Sequence, residues 1–478
     1  MRNSFSSSTE VFEWLSRFIN LEKGQKPKSF RIDRMETLSE LAGNPHLCAP
    51  SIHIAGSKGK GSVTSMLAAM LTAAGFLTAR YMSPHVSDFR ERLCLDGSFF
   101  SEDIYRLAAD ELRLITEESL PAALKQESPS HEKLRALFDP STAEGSEPTY
   151  WELLTLYFFL CSRLSKCDVM VVETGLGGRL DSTNIVDPLV SVITLIEIEH
   201  TNFLGNTIAE IAAEKAGIIK KGKPVVLARQ SGEALRVFQN KARGSGSALF
   251  YMPEISRLTD INVTSQKTDF SLLIDYSSVQ DSQSPFPARR FSSLTIPIPG
   301  KVQAENAALA AAAVKTAFPK IGDEAIRNGL LNVKIPARFE NISANTPRQE
   351  LPFIIDGAHT PESLSLCVQT FRSLYGDGGV LIFGCAADKD YVAMAKAASM
   401  FFSKIFITAA GTFKTSNPEN IYEVFSREAG EEKVSLIKDT KEAVKQAELF
   451  AEEKKLPVLA AGSFYLAAEI RSVKLPPL

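Results

Sequence analysis

The segment from residue 51 to residue 66 carries the residue types and spacing most suited to chemistry. A short apolar run, Ile52 to Ile54, predicts a strand, and a helical pattern runs from Ser62 to about Ala74. The turn between them is rich in glycine and lysine, with Gly56, Lys58, Gly59, Lys60 and Gly61. Glycines let backbone N–H groups turn inward, a helix N-terminus favours an anion, and lysine meets phosphate charge. The segment therefore predicts a phosphate-binding loop.

The loop departs from the strict P-loop pattern at two positions. That pattern, G-x-x-x-x-G-K-[ST], requires glycine where the chain has Ile54 and serine or threonine where it has Gly61. A flexible basic loop before a surface helix is the alternative interpretation. Nucleotide binding is favoured because glycines, lysines and a helix start occur together.

A second polar cluster follows the apolar run 168–173, which predicts a strand. The run ends at Glu173 and is followed by Thr-Gly-Leu-Gly-Gly-Arg-Leu-Asp, which contains Arg179 and Asp181. Ligands bind at the carboxyl ends of strands in open α/β sheets. Such a cluster is as typical of a tight turn as of a binding site.

Two histidines also lie at the ends of predicted strands. His200 follows the strand that ends at Ile196, and His359 follows Asp356 after the apolar run 353–355. An imidazole at a strand end suits a ligand or an acid–base group, although a hydrogen-bonded loop histidine is as common.

Two basic residues have a structural and a functional interpretation. Lys215 lies in an otherwise apolar helical turn, where a lysine usually extends its ammonium group to solvent. Arg338 lies near the predicted hinge between domains, where an arginine suits phosphate recognition. Judged alone, a surface arginine is the commoner case.

Length and composition exclude several classes of protein. The 478 residues suggest two or three domains, and 44% hydrophobic with 23% charged residues is ordinary for a soluble enzyme. A net charge of -3 does not indicate a nucleic-acid-binding surface. The six cysteines form no C-x-x-C pair, which argues against a zinc site or a disulfide framework. Without a secretory signal or an apolar stretch of ~18 residues, we expect a cytoplasmic protein with no membrane partner.

The elements that position these residues follow an α/β pattern. Helical patterns alternate with short apolar runs, which predicts mostly parallel sheets. Two runs, 270–275 and 291–296, carry alternating patterns that predict antiparallel strands. Residues 117–148 are polar and proline-containing, and predict an irregular excursion or a small helical insertion.

The same pattern resumes after a break in periodicity near residues 341–348. A second α/β series begins near Leu351. We therefore predict a P-loop-containing, central ATPase-type domain at 1–343, with a mostly parallel sheet. A smaller, Rossmann-like α/β domain is predicted at 344–478.

The order of the motifs resembles that of the bacterial folylpolyglutamate synthases/dihydrofolate synthases of the Mur ligase superfamily, over roughly residues 30 to 470. Residues 55–62 are similar to the family's A-G-T-N-G-K-G-S loop, and residues 173–184 are close to its signature. The other matching blocks are 83–86, 149–152, 200–205, 214–218, 303–306, 338–339, 356–359 and 388–390. The resemblance implies a ligase that uses ATP to convert a carboxylate into an acyl phosphate, which the amine of glutamate then attacks.

The resemblance also implies roles for individual residues. The ATP phosphates would lie against Gly56, Lys58, Gly59, Lys60, Gly61 and Ser62. Other nucleotide contacts would come from Asn306, Arg338 and Asp356. Magnesium, with two ions expected, would be held by Ser83, Glu173 and His200.

The same resemblance implies a modified lysine and a pterin site. Lys215 would be carbamylated, which turns a base into an acidic group that organises the metal site. Lys60, Lys215 and His200 are thus the implied catalytic residues. The positions that match pterin contacts are Thr149, Tyr150, Trp151, Glu152, Leu180, Asp181 and Ser182.

The chain departs from the family pattern at several positions. Ser57 and Lys58 replace Thr-Asn in the loop, which adds a cation near the phosphates. The other departures are Glu199 for aspartate, Lys301 for histidine, Ala337 for glycine and Thr360 for asparagine. None removes an implied metal or phosphate group, so the implied reaction class is unaffected.

Together these observations predict an ATP- and magnesium-dependent ligase that adds L-glutamate to dihydropteroate and then to reduced folates. Folylpolyglutamate synthesis alone is one alternative. An inactive nucleotide-binding homologue is another, which Glu173, His200 and Lys215 oppose. A cell-wall Mur ligase is disfavoured because residues 1–50 are short for a separate substrate domain. We expect a monomer that does not bind nucleic acid.

Overall fold

A computed structural model describes residues 4–20, 30–125, 129–141, 145–278, 288–343, 351–409, 411 and 415–475. Within them the helices are α1 (Ser8–Leu15), α2 (Ile32–Leu41), α3 (Lys60–Ala73), α4 (Glu102–Leu114), α5 (Leu120–Leu124), α6 (Pro129–Phe138), α7 (Tyr150–Ser165), α8 (Thr201–Leu204), α9 (Ile208–Ala216), α10 (Gly232–Gly244), α11 (Met252–Ile255), α12 (Lys301–Ala317), α13 (Asp323–Asn332), α14 (Pro361–Tyr375), α15 (Tyr391–Ala398), α16 (Pro418–Ala429), α17 (Thr440–Lys454) and α18 (Phe464–Lys474). The strands are β1 (Ser51–Ala55), β2 (Thr78–Tyr81), β3 (Leu93–Leu95), β4 (Val169–Glu173), β5 (Val190–Ile193), β6 (Val225–Leu227), β7 (Leu249–Tyr251), β8 (Ser256–Val263), β9 (Thr268–Ile274), β10 (Arg289–Ile296), β11 (Glu340–Asn341), β12 (Phe353–Ile355), β13 (Gly379–Phe383), β14 (Phe402–Ile407), β15 (Val434–Leu436) and β16 (Val458–Ala461).

The first sheet has seven strands in the order β3-β2-β4-β1-β5-β6-β7. Every neighbouring pair is parallel except β2 with β3. The carboxyl ends of β1, β4 and β5 therefore meet at one edge, which is where ligands bind in open α/β sheets. The predicted α/β fold with a mostly parallel sheet is confirmed.

Helices cover both faces of this sheet, as a parallel sheet requires. On one face α3 packs against β2 and β4 while α12 packs against β5 and β6, and the side chains of α3 are buried around most of its circumference. On the other face α7 packs with the N-terminal helices into a second core. None of the helices in the described residues has the length and apolar character needed to cross a membrane.

A small sheet of three antiparallel strands, in the order β10-β9-β8, lies beside α12. Buried side chains alternate along β9, and its apolar residues contribute to the core around α12. The antiparallel strands predicted at 270–275 and 291–296 are thus confirmed, because period-two alternation identifies a sheet with one buried face.

The C-terminal part of the chain forms a six-stranded sheet in the order β11-β12-β16-β13-β14-β15. Its strands are parallel except for the short edge pair β11 and β12. The apolar run 353–355 forms β12, and the α/β series predicted to follow it is present. Because β11 lies at residues 340–341, the sheet begins before the predicted boundary at 343/344. That boundary stays a prediction, and residues 344–350 lie outside the described residues.

The segment that follows β2 contacts both parts of the molecule. Ser87 accepts a hydrogen bond from Arg471 of α18 at 2.8 Å, and Val86 packs against a core of the C-terminal sheet. Arg471 also donates to Glu340 at 3.1 Å. The segment 83–87, which holds Ser83, is thus attached to the C-terminal part of the chain.

Several elements were not predicted from the sequence. They include α1, α2, β3 and β7, which are short and carry mixed patterns. The described part of 117–148 is mostly helical, and α6 buries Leu137 and Phe138 in the second core. The interpretation as a helical insertion is therefore the better of the two offered for this segment.

Candidate active site

A cavity of about 1450 Å³ lies between the carboxyl edge of the first sheet and the C-terminal sheet. The first domain lines it with Lys60, Glu173 and His200, which follow β1, end β4 and follow β5 respectively. Arg338 and Asp356 line it from the other side. Residues from both parts of the chain therefore line one cavity.

Most residues predicted to form the site line this cavity. They are Lys58, Gly59, Lys60, Gly61, Ser62, Ser83, Thr149, Trp151, Glu152, Glu173, Leu180, Asp181, Ser182, His200, Asn306, Arg338 and Asp356. Gly56, Tyr150 and Lys215 are not among the lining residues. Lys215 lies directly behind the phosphate loop, whereas Tyr150 packs into the second core.

The phosphate loop is held in one shape by a glycine and by the neighbouring strand end. Gly59 caps the N-terminus of α3 with φ of 88°, and a Cβ atom there would lie 2.7 Å from Asn306 Oδ1. Ser57 N and Lys58 N both donate to Leu195 O, at 2.9 and 3.1 Å. Only glycine combines this φ with so close an approach. The loop therefore presents the N-terminus of α3, and Lys60 as its first residue, to the cavity.

Three lysines surround one carboxylate behind the loop. Lys215 Nζ donates to Gly56 O at 2.7 Å and to Glu199 Oε1 at 3.0 Å. Lys58 Nζ lies 3.7 Å from Glu199 Oε2, and Lys60 Nζ donates to Gly56 O at 2.9 Å. The departures at Lys58 and Glu199 from the family pattern thus form an ion pair with each other.

The charges of this cluster follow from burial and from the excess of cations. Burial raises the pKa of Glu199, but Lys215, Lys60 and Lys58 oppose it and lower the value to about 2. Burial lowers the pKa of Lys215 to about 8, although Glu199 opposes this. A lowered pKa increases the fraction of neutral amine, which is the form that reacts with carbon dioxide.

Glu173 combines deep burial with a carboxylate oxygen that has no hydrogen-bond partner in the described part of the chain. It is 2% exposed, and its Oε2 atom is buried without a hydrogen-bond partner among the described residues. Burial raises the pKa of Glu173 to about 7, with Lys60 and Arg338 opposing the shift. A buried carboxylate oxygen without a partner fits a cation ligand. The donor set available at this position therefore fits magnesium.

The other two predicted metal ligands lie on the same cavity. Desolvation by the surrounding cleft lowers the pKa of His200 to about 4, so its imidazole is neutral at pH 7 and able to donate a lone pair. Ser83 precedes Pro84 on the segment attached to the C-terminal sheet. The described residues contain no group of three or more histidine, cysteine, aspartate or glutamate side chains suited to a metal ion. Serine, backbone and substrate oxygens would have to complete the coordination.

Arg338 is positioned by a strained turn. Ala337 and Phe339 adopt φ of 54° and 46°, a conformation that suits glycine. Glu340 accepts from Ala337 N at 2.9 Å, and Asp356 accepts from Phe339 N at 2.8 Å. The family's glycine at position 337 is thus explained by its backbone, and this chain holds alanine there with two carboxylates.

The guanidinium of Arg338 lies over an aromatic ring. Its central carbon is 4.3 Å from the ring centroid of Phe464, the first residue of α18. Burial lowers the pKa of Arg338, while Asp356 and Glu173 oppose the shift. A guanidinium packed in this way is desolvated before a phosphate arrives, which strengthens its interaction with one.

Some of the residues predicted to contact the pterin face the cavity, and others stabilise the surrounding backbone. Asp181 Oδ2 accepts from Gly175 N and Leu176 N, both at 2.9 Å, and Oδ1 accepts from Thr183 N at 3.0 Å and Thr183 Oγ1 at 2.5 Å. Four donors saturate a carboxylate. Asp181 therefore organises the loop after β4, while Trp151, Leu180 and Ser182 line the cavity beside it.

Thr149 and Glu152 form a capping box at the start of α7. Glu152 Oε1 also accepts from Arg34 Nε at 2.7 Å, and Arg34 is 1% exposed. The remaining guanidinium donors reach the carbonyls of Leu137, Ser146 and Glu147. The buried pair therefore fastens α2 and the segment before α7 to the core.

Glu152→Gln is expected to destabilise the protein by about 3 kcal/mol, because it leaves the buried Arg34 charge without its carboxylate. Chemical denaturation at pH 7 measures the effect. Glu210→Gln is the matched control, since Thr207 and Glu210 form an exposed capping box on α9. Equal losses in the two variants would show that the buried ion pair contributes nothing beyond the cap.

Two cavity residues were not singled out from the sequence, although both follow the carboxyl ends of strands. Glu197 follows β5 in the same loop as His200, and Phe464 follows β16. Glu197 was not singled out because glutamates are common in loops. Phe464 carries no chemical signal until Arg338 is placed beside it.

Comparison with known proteins agrees with this arrangement. Residues 124–314 match a family described as Mur ligase middle domain, and residues 337–464 match Mur ligase, glutamate ligase domain. The dihydrofolate synthase/folylpolyglutamate synthase of Bacillus subtilis (strain 168) is 30% identical over 98% of this chain and 99% of its own length. The chain belongs to the dihydrofolate synthase/folylpolyglutamate synthase family. As a member, it is an ATP-dependent ligase.

Solved structures of the same family share the fold. Folylpolyglutamate synthase of Mycobacterium tuberculosis, complexed with ADP and AMPPCP, superposes with a TM-score of 0.82 at 25% identity over 99% of each chain. A complex of a folylpolyglutamate synthase with AMPPCP and folate superposes with a TM-score of 0.78 at 27% identity, over 98% of this chain and 100% of that one. The family assignment therefore rests on sequence and on three-dimensional structure.

Proposed function

We propose that this chain forms an amide between L-glutamate and the carboxylate of dihydropteroate, and then between further glutamates and reduced folates. The observation that carries the proposal is the convergence of Lys60, Glu173 and Arg338 on one cavity from two parts of the chain. A phosphate-binding loop alone would indicate only nucleotide binding. An arginine facing it across a cleft, beside an unpartnered carboxylate, supports phosphoryl transfer.

ATP is proposed to lie with its phosphates on the loop 56–62. The N-terminus of α3 and Lys60 supply positive charge there, and Arg338 supplies it from the opposite side. Asn306 and Asp356 are proposed as further nucleotide contacts. Asn306 Nδ2 donates to Gln303 Oε1 at 3.1 Å, which orients its amide beside Gly59.

Magnesium is proposed to be held by Glu173, His200 and Ser83. When bound, the ion would neutralise phosphate charge. Glu173 supports this most strongly, because its Oε2 atom has no partner among the described residues. Lys215 is proposed to be carbamylated, which its lowered pKa and its position behind the loop support.

The reaction proceeds in two displacements. A carboxylate oxygen of the pterin substrate attacks the γ-phosphorus of ATP, the bond to the β,γ-bridging oxygen breaks, and ADP leaves. The amine nitrogen of glutamate then attacks the acyl carbon, phosphate leaves, and the amine gives up a proton. Lys60 and Arg338 stabilise the charge that develops on the transferred phosphoryl group. Water would hydrolyse the acyl phosphate, so the two parts of the chain would have to close around the cleft during the reaction.

The pterin is proposed to bind beside the loop after β4. Trp151 offers an aromatic face in the cavity, and Leu180 and Ser182 line the same wall. Asp181 supports this wall through its four hydrogen bonds. Thr149 and Glu152 border the cavity and are proposed to contact the pterin. They also cap the N-terminus of α7, so each has a structural role as well.

The purified protein is expected to release ADP only when a pterin carboxylate and L-glutamate are both present. Coupled detection of ADP with each component omitted in turn measures this. Dihydropteroate and tetrahydrofolate as alternative acceptors decide between the bifunctional enzyme and folylpolyglutamate synthesis alone. ADP release that is independent of the pterin would contradict the proposal, and no release with any acceptor would indicate an inactive nucleotide-binding homologue.

A further inference from the structure

Glu197 is a cavity residue to which the proposed reaction has assigned no role. It follows β5 by four residues, and its Oε2 atom is buried without a hydrogen-bond partner among the described residues. A buried carboxylate oxygen without a donor is costly to a protein. A residue of this kind on the wall of a binding cavity points to a partner that arrives with the ligand.

The backbone places Glu197 beside the phosphate loop. Its carbonyl accepts from Ser57 Oγ at 3.1 Å, and Leu195 O accepts from the backbone N–H groups of Ser57 and Lys58. Glu197 thus lies beside the start of the phosphate loop and lines the same cavity as Lys60. The proposed acyl phosphate would form in this cavity. The attacking amine has to approach the same place.

The described charged groups around Glu197 do not provide its carboxylate with a cation of its own. Lys58 attracts it, but Lys58 Nζ is directed at Glu199 Oε2, 3.7 Å away. Glu199 and Glu362, the latter on α14 across the cavity, repel it. Lys389 lines the cavity nearby and provides positive charge for a carboxylate of an amino acid.

We propose that Glu197 binds the α-ammonium group of the incoming amino acid and holds its nitrogen toward the acyl phosphate. An ammonium group presents three donors, and a charge-assisted hydrogen bond to a carboxylate is stronger than a neutral one. The ligand class is an α-amino dicarboxylic acid, with a carboxylate toward Lys389. The inference rests on the proposed function, whose glutamate site it specifies.

Glu197→Gln is expected to raise the KM for L-glutamate by about 10- to 100-fold, since a charge-assisted hydrogen bond is lost. The KM for ATP should stay within about twofold. Glutarate has both carboxylates of glutamate but no amine, so its inhibition constant should not change. A purely structural effect on the cavity would weaken glutamate and glutarate together, and that result would overturn the proposal.

Two further variants sharpen the test. Glu197→Asp keeps the charge on a shorter side chain and should give an intermediate KM for L-glutamate. Glu362→Gln, which removes an exposed carboxylate from the facing helix, should leave that KM within about twofold. A higher magnesium requirement in Glu197→Gln at unchanged KM for glutamate would make Glu197 a metal ligand and overturn the proposal. A wild-type protein inactive with every pterin acceptor would overturn the proposed function together with this inference.

Discussion

Lys60→Ala is expected to lower the kcat for ADP formation by about 10³-fold, the magnitude typical of removing one charged group that stabilises a phosphoryl transition state. Lys60 begins α3, so in the proposed complex its ammonium group and the helix N-terminus would act on the same phosphates. Its only hydrogen bond in the structure, among the described residues, is to Gly56 O. The loss of folding stability should therefore be about 1 kcal/mol. Steady-state kinetics and a melting curve measure the two quantities separately.

The neighbouring cation provides the control for this prediction. Lys58 lies two residues away in the same loop, but its ammonium group is paired with Glu199. Lys58→Ala should therefore reduce kcat much less than Lys60→Ala does. Comparable losses in both variants would mean that the loop needs its total charge rather than one positioned lysine.

Glu173→Gln is expected to abolish activity and to stabilise the metal-free protein at pH 8. The pKa of Glu173 is raised by burial from 4.5 to about 7, so the folded state favours the protonated acid. Its contribution to stability is thus most favourable below pH 4.5, declines as the pH rises from 4.5 to 7, and is fully unfavourable above 7. The shift corresponds to about 3 kcal/mol at pH 8. Glutamine cannot ionise and avoids this cost.

Denaturation in the presence of EDTA at pH 5 and pH 8 measures the effect. The difference between variant and wild type should be small at pH 5 and large at pH 8, and magnesium with ATP should reverse it. Glu199→Gln is the matched control, because the pKa of Glu199 is lowered to about 2 and the folded state favours its ionised form. That variant should be destabilised at pH 8. Destabilisation of Glu173→Gln at pH 8 would refute the account of its buried oxygen.

The site could be located from the sequence because parallel strands bring their carboxyl ends to one edge. Glu173 and His200 belong to strand ends of the first sheet, so their convergence required only that this sheet be parallel. Asp356 follows β12 of the second sheet, so its approach to them depends on how the two sheets face each other. The phosphate loop was recognisable for the same reason, with a strand before it and a helix after it. Period-two alternation likewise identified β9 and β10 as antiparallel.

The roles of individual side chains could not be read in the same way. Thr149 and Glu152 have the spacing of a capping box and also border the cavity, and only the structure shows the buried Arg34 that pairs with Glu152. Asp181 has the appearance of a free carboxylate in the sequence, yet four donors occupy it. Contacts between residues far apart in the chain, such as Arg338 with Phe464, have no signature in the sequence.

The attachment of segment 83–87 to the C-terminal sheet has a mechanical consequence. Ser83 belongs to the first domain by sequence, but Val86 and Ser87 next to it are fastened to the other side of the cavity through a core contact and Arg471. A hinge rotation of the C-terminal domain would pull on Ser83 as well as on Arg338. Ser83 and Arg338 would thus move together toward a nucleotide on the phosphate loop. Domain closure and completion of the proposed magnesium coordination would then be a single movement.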